Sequence, residues 1–263
     1  MIDTRTLIAF NTATASENKI HDDVVASRFG FTGGLVPGVD VFAYMAHMPT
    51  KKWGARWLRS GRMQGRFIKP VYDGDSTTVQ ASDVTDGIDL SVLARGVLCA
   101  TGFADLKPTA SPHKAFATVR MPSAEDREPA SPKSLAVGAT LGTLREIYTQ
   151  EEGLAHIEAV RDDPDLYDDG RVANAGWLLR RANYILAENV KLGPWIHVES
   201  AISFHDLLTD GEELEVRAVV ADNVESKGHL MVVLDIQMSA AGRFIATCRH
   251  WAIYEPRQVR MAG

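Results

Sequence analysis

The strongest constraint on this chain is an internal repeat. Displaced by 137 residues, the sequence lays its landmarks on one another without gaps. Phe67 falls on Phe204, Gly74 on Gly211, Val79 on Val216, Ala81 on Ala218 and Val97 on Leu234. An apolar segment opening at Gly38 falls on one opening near Ala175. A period this long excludes a solenoid, whose repeats run about 20–50 residues. It predicts two copies of one unit, each a long helix followed by an antiparallel sheet.

In the first unit, Val39 to Met48 is apolar nearly all round, as a helix buried on most sides must be. The period then changes. Strands are expected over Met63–Tyr72, Ser76–Val84 and Leu90–Ala100, with a shorter one over Gly102–Leu106. Asp73-Gly74-Asp75 and Asp86-Gly87 supply the tight connections between them. Residues 1–15 read as a lead-in anchored by Leu7, Ile8 and Phe10, and 49–62 as a covering loop or second helix. The prolines and small polar residues of 107–134 mark a linker, so the units are expected at 1–106 and 135–263. A helix covered by four antiparallel strands is an α+β unit whose sheet wraps its helix. Two such units can join their sheets side by side and so cover two edges.

Hydrophobic residues make up 45% and charged residues 24%, ordinary values for a soluble domain. A net charge of -6 with no basic block argues against nucleic acid as a partner. No run approaches the ~18 apolar residues of a membrane span, and no secretory signal opens the chain, so the cytoplasm is expected. Cys99 and Cys248 sit in strand-like segments and read as buried free thiols. The lack of closely spaced Cys pairs argues against a structural zinc, and no metal ligand set is expected.

The chemistry concentrates between Ser16 and Met48. His21 has the pKa range of a general base, and a Gly-rich turn leads to a helix N-terminus at Gly38. A backbone N–H there can meet a developing oxyanion. Each residue also has a plain structural reading. His21 can be a surface residue at a helix start, Asn18 a cap and Gly38 a turn glycine. Ser16 can position water but is no base alone. Five acids precede the second helix: Asp162, Asp163, Asp165, Asp168 and Asp169. They read as a solvated loop or as the source of an acid reaching the first unit. Lys51, Lys52, Arg56, Arg59 and Arg62 read as a solvated face or as contacts for the phosphates of coenzyme A or the acidic face of a carrier protein.

The first half resembles the MaoC-like (R)-specific enoyl-CoA hydratases. The resemblance rests on Asn18-Lys19-Ile20-His21, Ala26, Phe31, Gly33 and Leu35-Val36-Pro37-Gly38. Phe67 to Val71 and Gly74-Asp75 add to it, so that residues 10–105 are covered. It implies a double hot-dog fold, in which each of two antiparallel sheets wraps a central helix. It implies a lyase that reversibly adds water to a 2-enoyl thioester. The substrate would be carried by coenzyme A or an acyl carrier protein, with no cofactor. His21, Asn18, Ser16 and Gly38 would be catalytic, and Val36, Pro37 and Phe42 would touch substrate. The sequence departs from the motif at Lys19, where the family has Pro, and at Ser16, where it has the catalytic Asp. The second half has lost the motif, with Ala155 opposite Asn18 and Glu158 opposite His21. A thioesterase and a non-catalytic thioester binder therefore stay open as alternatives. A fused pair imitates a homodimer of single units, so either a monomer or a homodimer fits.

Overall fold

The computed structural model describes residues 2–13, 18–22, 26–27 and 31–260. The first half contains β1 (Ile2–Ile8), α1 (Gly38–Trp53) and α2 (Ala55–Ser60). Its remaining strands are β2 (Arg62–Phe67), β3 (Ser76–Val84), β4 (Gly87–Ala94) and β5 (Val97–Asp105). The second half begins with β6 (Glu128–Pro129), β7 (Leu144–Ile147), α3 (Gln150–Ala159) and α4 (Ala175–Ala187). It continues with β8 (Val190–Lys191), β9 (Ile196–Phe204), β10 (Glu213–Ser226), β11 (His229–Ala240) and β12 (Arg243–Glu255).

Ten strands form one antiparallel sheet in the order β1-β3-β4-β5-β2-β9-β12-β11-β10-β7. The halves meet at β2 and β9, where Met63 stands opposite Ile202. Each half therefore presents the same strand pattern with its own helix against it, which is the double hot-dog arrangement. Alternation drives it: along β4, Ile88, Leu90, Val92 and Ala94 are buried while the residues between them are less so. The run Val39 to Ala46 is wholly buried, because the sheet covers one side of α1 and α4 covers another. At the α1–α4 contact, a Cβ placed on Gly176 would lie 2.4 Å from the Ala43 Cβ. Only a glycine lets the two helices come so close.

The 137-residue displacement holds at the helix starts Gly38 and Ala175, and at the strand starts Ser76 and Glu213. It fails beyond them. Val97 opens β5, whereas Leu234 lies inside β11. The cause is length: β10 and β11 have 14 and 12 residues, against 9 and 8 in β3 and β4.

Three further expectations are corrected. Residues 2–8 are a full edge strand rather than a lead-in, with Leu7 buried but Ile8 57% and Phe10 41% exposed. The strand expected over Leu90–Ala100 is a hairpin, turned at Arg95 and Gly96 with φ of 50° and 76°. The strand expected to run to Tyr72 stops at Phe67, ahead of Pro70. Residues 107–134 lie against the second half. The Phe116 N–H donates to Gln237 Oε1 at 2.7 Å, and β6 pairs with β8. Cys99 and Cys248 are buried and free. Among the described residues, no helix is long and apolar enough to cross a membrane.

Candidate active site

His21 ends a short 3-10 turn, Lys19–His21. The turn is pinned by a small apolar cluster of Ile20, Ala26 and Leu35, with Phe31, Tyr72 and Ile196 packed on it. The Asn11 amide donates to the His21 carbonyl at 3.0 Å. His21 Nδ1 lies 2.6 Å from the Leu35 carbonyl oxygen. A carbonyl only accepts, so Nδ1 carries the proton and Nε2 carries the lone pair. Burial lowers the His21 pKa from its ordinary value and favours that neutral form. The Leu35 bond and the Asp40 charge oppose the shift, and the Arg180 charge adds to it.

His21 lines a chamber of about 240 Å³ in the seam between the halves. Asn18, Val36, Pro37 and Gly38 line it too, so the chosen stretch converges on one place. The second half contributes Asn183, Trp195 and His197. Gly38 opens α1 behind Pro37, which has no side-chain acceptor to cap that helix. Its first N–H groups therefore keep the partial positive charge of a helix start.

Other expected site residues are placed differently. Phe42 is not among the lining residues. It is fully buried under the sheet, its ring 2.9 Å from where a Cβ on Gly65 would stand. Asn18 lines the chamber, but its amide clamps the second half. It donates to the Trp195 carbonyl at 3.0 Å and accepts from the Trp195 N–H at 3.3 Å. Ser16 and the neighbouring Glu17 lie outside the described residues.

Of the five acids, Asp162 does reach a histidine of the first half, but it is His47. His47 Nδ1 and Asp162 Oδ1 are 2.6 Å apart. The Tyr167 hydroxyl and the Asn174 amide donate to the other carboxylate oxygen at 2.8 and 3.1 Å. Burial works against the Asp162 charge, yet the His47 bond and its neighbours hold the carboxyl below its ordinary value. None of the five acids lines the chamber. Four of the five basic residues form surface ion pairs: Lys51 with Asp3, Lys52 with Asp83, Arg59 with Asp206 and Arg62 with Asp105.

The acid whose charge reaches His21 is Asp40, in the first turn of α1. It is fully buried, paired with Arg180 of α4, and accepts from the Thr12 hydroxyl at 2.6 Å. Burial pushes its carboxyl up, against the pull of Arg180 and Thr12. Arg180 also lines a groove of about 610 Å³ with Lys191 and with Arg127, which is paired with Glu188 on the same wall. The groove shares Asn18, His21, Pro37, Asn183 and Trp195 with the chamber, so His21 stands where the two meet.

Sequence reasoning missed Asp40, Asn183 and His197. The alternation of β12 held a signal of this kind: Cys248, His250, Ala252 and Tyr254 all face the core, which places a histidine at an apolar position.

No protein-family profile matches the sequence, and no curated protein matches it. Solved structures do. A conserved hypothetical protein of Mycobacterium tuberculosis, described as having a double hotdog fold, matches with a TM-score of 0.66 at 13% identity, over 96% of this chain and 95% of that one. A MaoC-like dehydratase matches with a TM-score of 0.61 at 11% identity, over 97% and 98%. A Lactobacillus plantarum protein named for oleoyl thioesterase activity matches with a TM-score of 0.52 at 10% identity, over 97% of each chain. At such identities the likeness establishes the double hot-dog fold.

Proposed function

We propose that this protein is an acyl-thioester enzyme that reversibly adds water to a 2-enoyl thioester. The observation that carries the reading is the His21 ring. Its Nδ1–H is committed to the Leu35 carbonyl, and its basic Nε2 belongs to a residue lining an apolar chamber that also holds the start of α1. The likeness to a MaoC-like dehydratase supports the same reaction.

In this scheme Nε2 takes a proton from water as the water oxygen bonds to C3 of the enoyl group. The π electrons move onto the thioester carbonyl, where the Gly38 N–H meets the enolate oxygen. The imidazolium then returns its proton to C2, and no cofactor is consumed. The acyl chain occupies the apolar chamber. The carrier, coenzyme A or an acyl carrier protein, lies along the groove beside Arg127 and Lys191. Asp40 and Arg180 join the halves behind His21.

Thioester hydrolysis is the second reading. It needs the same base and the same oxyanion donor, with water directed at the carbonyl carbon, and the likeness to the Lactobacillus plantarum protein favours keeping it. Crotonyl-CoA separates the readings. Loss of enoyl absorbance without free thiol identifies the hydratase, and thiol release identifies a thioesterase. Binding with neither signal identifies a thioester-binding protein. If enoyl thioesters of short and long chain neither bind nor react, the acyl-thioester reading is overturned.

A further inference from the structure

The proposed reaction leaves three buried polar side chains of the second half unused. Ser200 Oγ lies 2.8 Å from His197 Nε2 and 2.9 Å from His250 Nδ1. The two imidazoles tilt against each other with centroids 4.4 Å apart. The outer nitrogen of each ring, His197 Nδ1 and His250 Nε2, is buried and has no hydrogen-bond partner among the described residues. A buried polar atom left unpaired is costly, and such atoms are rare unless they serve chemistry or ligand binding. The neighbouring inward positions of β9 hold Ile202 and Phe204, which carry no such cost. The location is informative. His197 lines the chamber, and its Nδ1 lies 2.8 Å from where a Cβ on Gly38 would be. The Phe67 ring closes the same space at 3.2 Å. That nitrogen thus stands over Gly38, the first residue of α1.

We infer that His197 is a catalytic residue of this chamber, its Nδ1–H donating to the thioester carbonyl oxygen beside the Gly38 N–H. The inference rests on the acyl-thioester reading. With the Ser200 hydroxyl donating to one of the rings, the hydrogen inventory permits two arrangements. In one, His250 Nδ1–H donates to Ser200, Ser200 donates to His197 Nε2, and His197 Nδ1 carries a hydrogen. In the other each bond is reversed and His197 Nδ1 is bare. Both hold the same number of protons and leave both rings neutral. A carbonyl oxygen only accepts, so binding of a thioester selects the first. Burial keeps both rings neutral, holding His197 well below the ordinary histidine value and His250 down to about 3. A neutral imidazole can polarise a carbonyl in a water-poor site, and fixed donors of this kind gain strength there. The same closeness holds position 38 to glycine, since a Cβ there would press on His197 Nδ1 at 2.8 Å.

The test compares two ligands that differ only at the carbonyl, butyryl-CoA and its thioether S-butyl-CoA. Nitrogen-15 spectra of histidine-labelled wild-type protein report the tautomer of each ring. The expected result is that butyryl-CoA fixes His197 as the Nδ1–H tautomer and S-butyl-CoA does not. In parallel, His197→Phe is expected to lower kcat/KM on crotonyl-CoA by about 100-fold, the usual loss for one oxyanion donor. Ser200→Ala is expected to lower it less and to leave the His21-controlled pH profile in place. If butyryl-CoA shifts His21 but leaves His197 unchanged, or if His197→Phe keeps full activity, the His197 assignment is overturned while the thioester reading stands. If butyryl-CoA shifts neither ring and does not bind, the thioester reading falls, and this assignment with it.

Discussion

Lowering the pH from 7.5 to 5 sets three buried imidazoles against the folded state. His156, His197 and His250 are 8%, 7% and 0% exposed. Burial, the largest cause for each, holds His156 and His250 down to about 3 and His197 well below its ordinary value. Unfolding releases them to the ordinary value near 6.5. Between about pH 3 and 6.5 the unfolded chain therefore binds more protons than the folded one, and stability falls as pH falls through that window. At pH 5 the unfolded form is favoured by about 2 kcal/mol for each histidine, from 1.36 kcal/mol per unit over roughly one and a half units. Three give about 6 kcal/mol, a large share of the ~5–15 kcal/mol that a domain has. Above pH 6.5 the full stability is present. Urea unfolding at pH 7.5, 6 and 5 measures this. With a slope near 3 kcal/mol/M, the midpoint should fall by about 2 M between the extremes. A His156→Leu variant should lose about a third of that dependence. A midpoint that stays constant between pH 7.5 and 5 would refute the claim that these rings are neutral and inaccessible.

His21→Ala should lower turnover of crotonyl-CoA by about 10²–10⁴-fold, the usual worth of a general base, with little change in the urea midpoint. The acid limb of the wild-type rate profile should lie below 6.5, because burial depresses the His21 pKa and activity is lost only once the ring protonates. Asp40→Asn should leave the Arg180 charge buried beside a neutral amide. A cost of about 3–5 kcal/mol in chemical unfolding is expected. Gly176→Ala brings a methyl group to 2.4 Å from the Ala43 Cβ, so α1 and α4 must move apart. Overpacking of that kind costs about 1–3 kcal/mol, which calorimetry resolves as a lowered Tm.

The repeat and the helix at Gly38 were legible because glycine turns and an all-apolar helix leave strong local marks. The hairpin at Arg95-Gly96 was not. Arg is an uncommon residue at positive φ, and a lone Gly96 inside an apolar run signals a bulge as readily as a turn. The gapless displacement misled beyond β3 for a related reason. With β10 and β11 five and four residues longer than β3 and β4, the displacement grows by nine before the last strand, and the bulge between Val220 and Asp222 takes up the odd residue, so the pattern matched while the register did not. At the site, Asn18, His21, Val36, Pro37 and Gly38 line one chamber. The contributions of Asn183, Trp195 and His197 were hidden, because they come from α4, β9 and the segment before β9 in the other half, and only packing brings them to His21. Asn18 shows the same limit: an amide beside a histidine in sequence serves here to grip the Trp195 backbone.

The seam between the halves has a consequence for how such a site behaves at low concentration. Its walls come from both repeats, as they would in a dimer of single units. A dimeric site disappears on dilution, because its two walls part company. Here a covalent connection keeps them at a fixed effective concentration, whatever the amount of protein in solution. The pairing of β2 with β9 then closes as an intramolecular event. Specific activity should therefore be insensitive to dilution as far as the two repeats are concerned. One chain should titrate with one equivalent of ligand at this site, since Glu158, the counterpart of His21, is an exposed residue of α3.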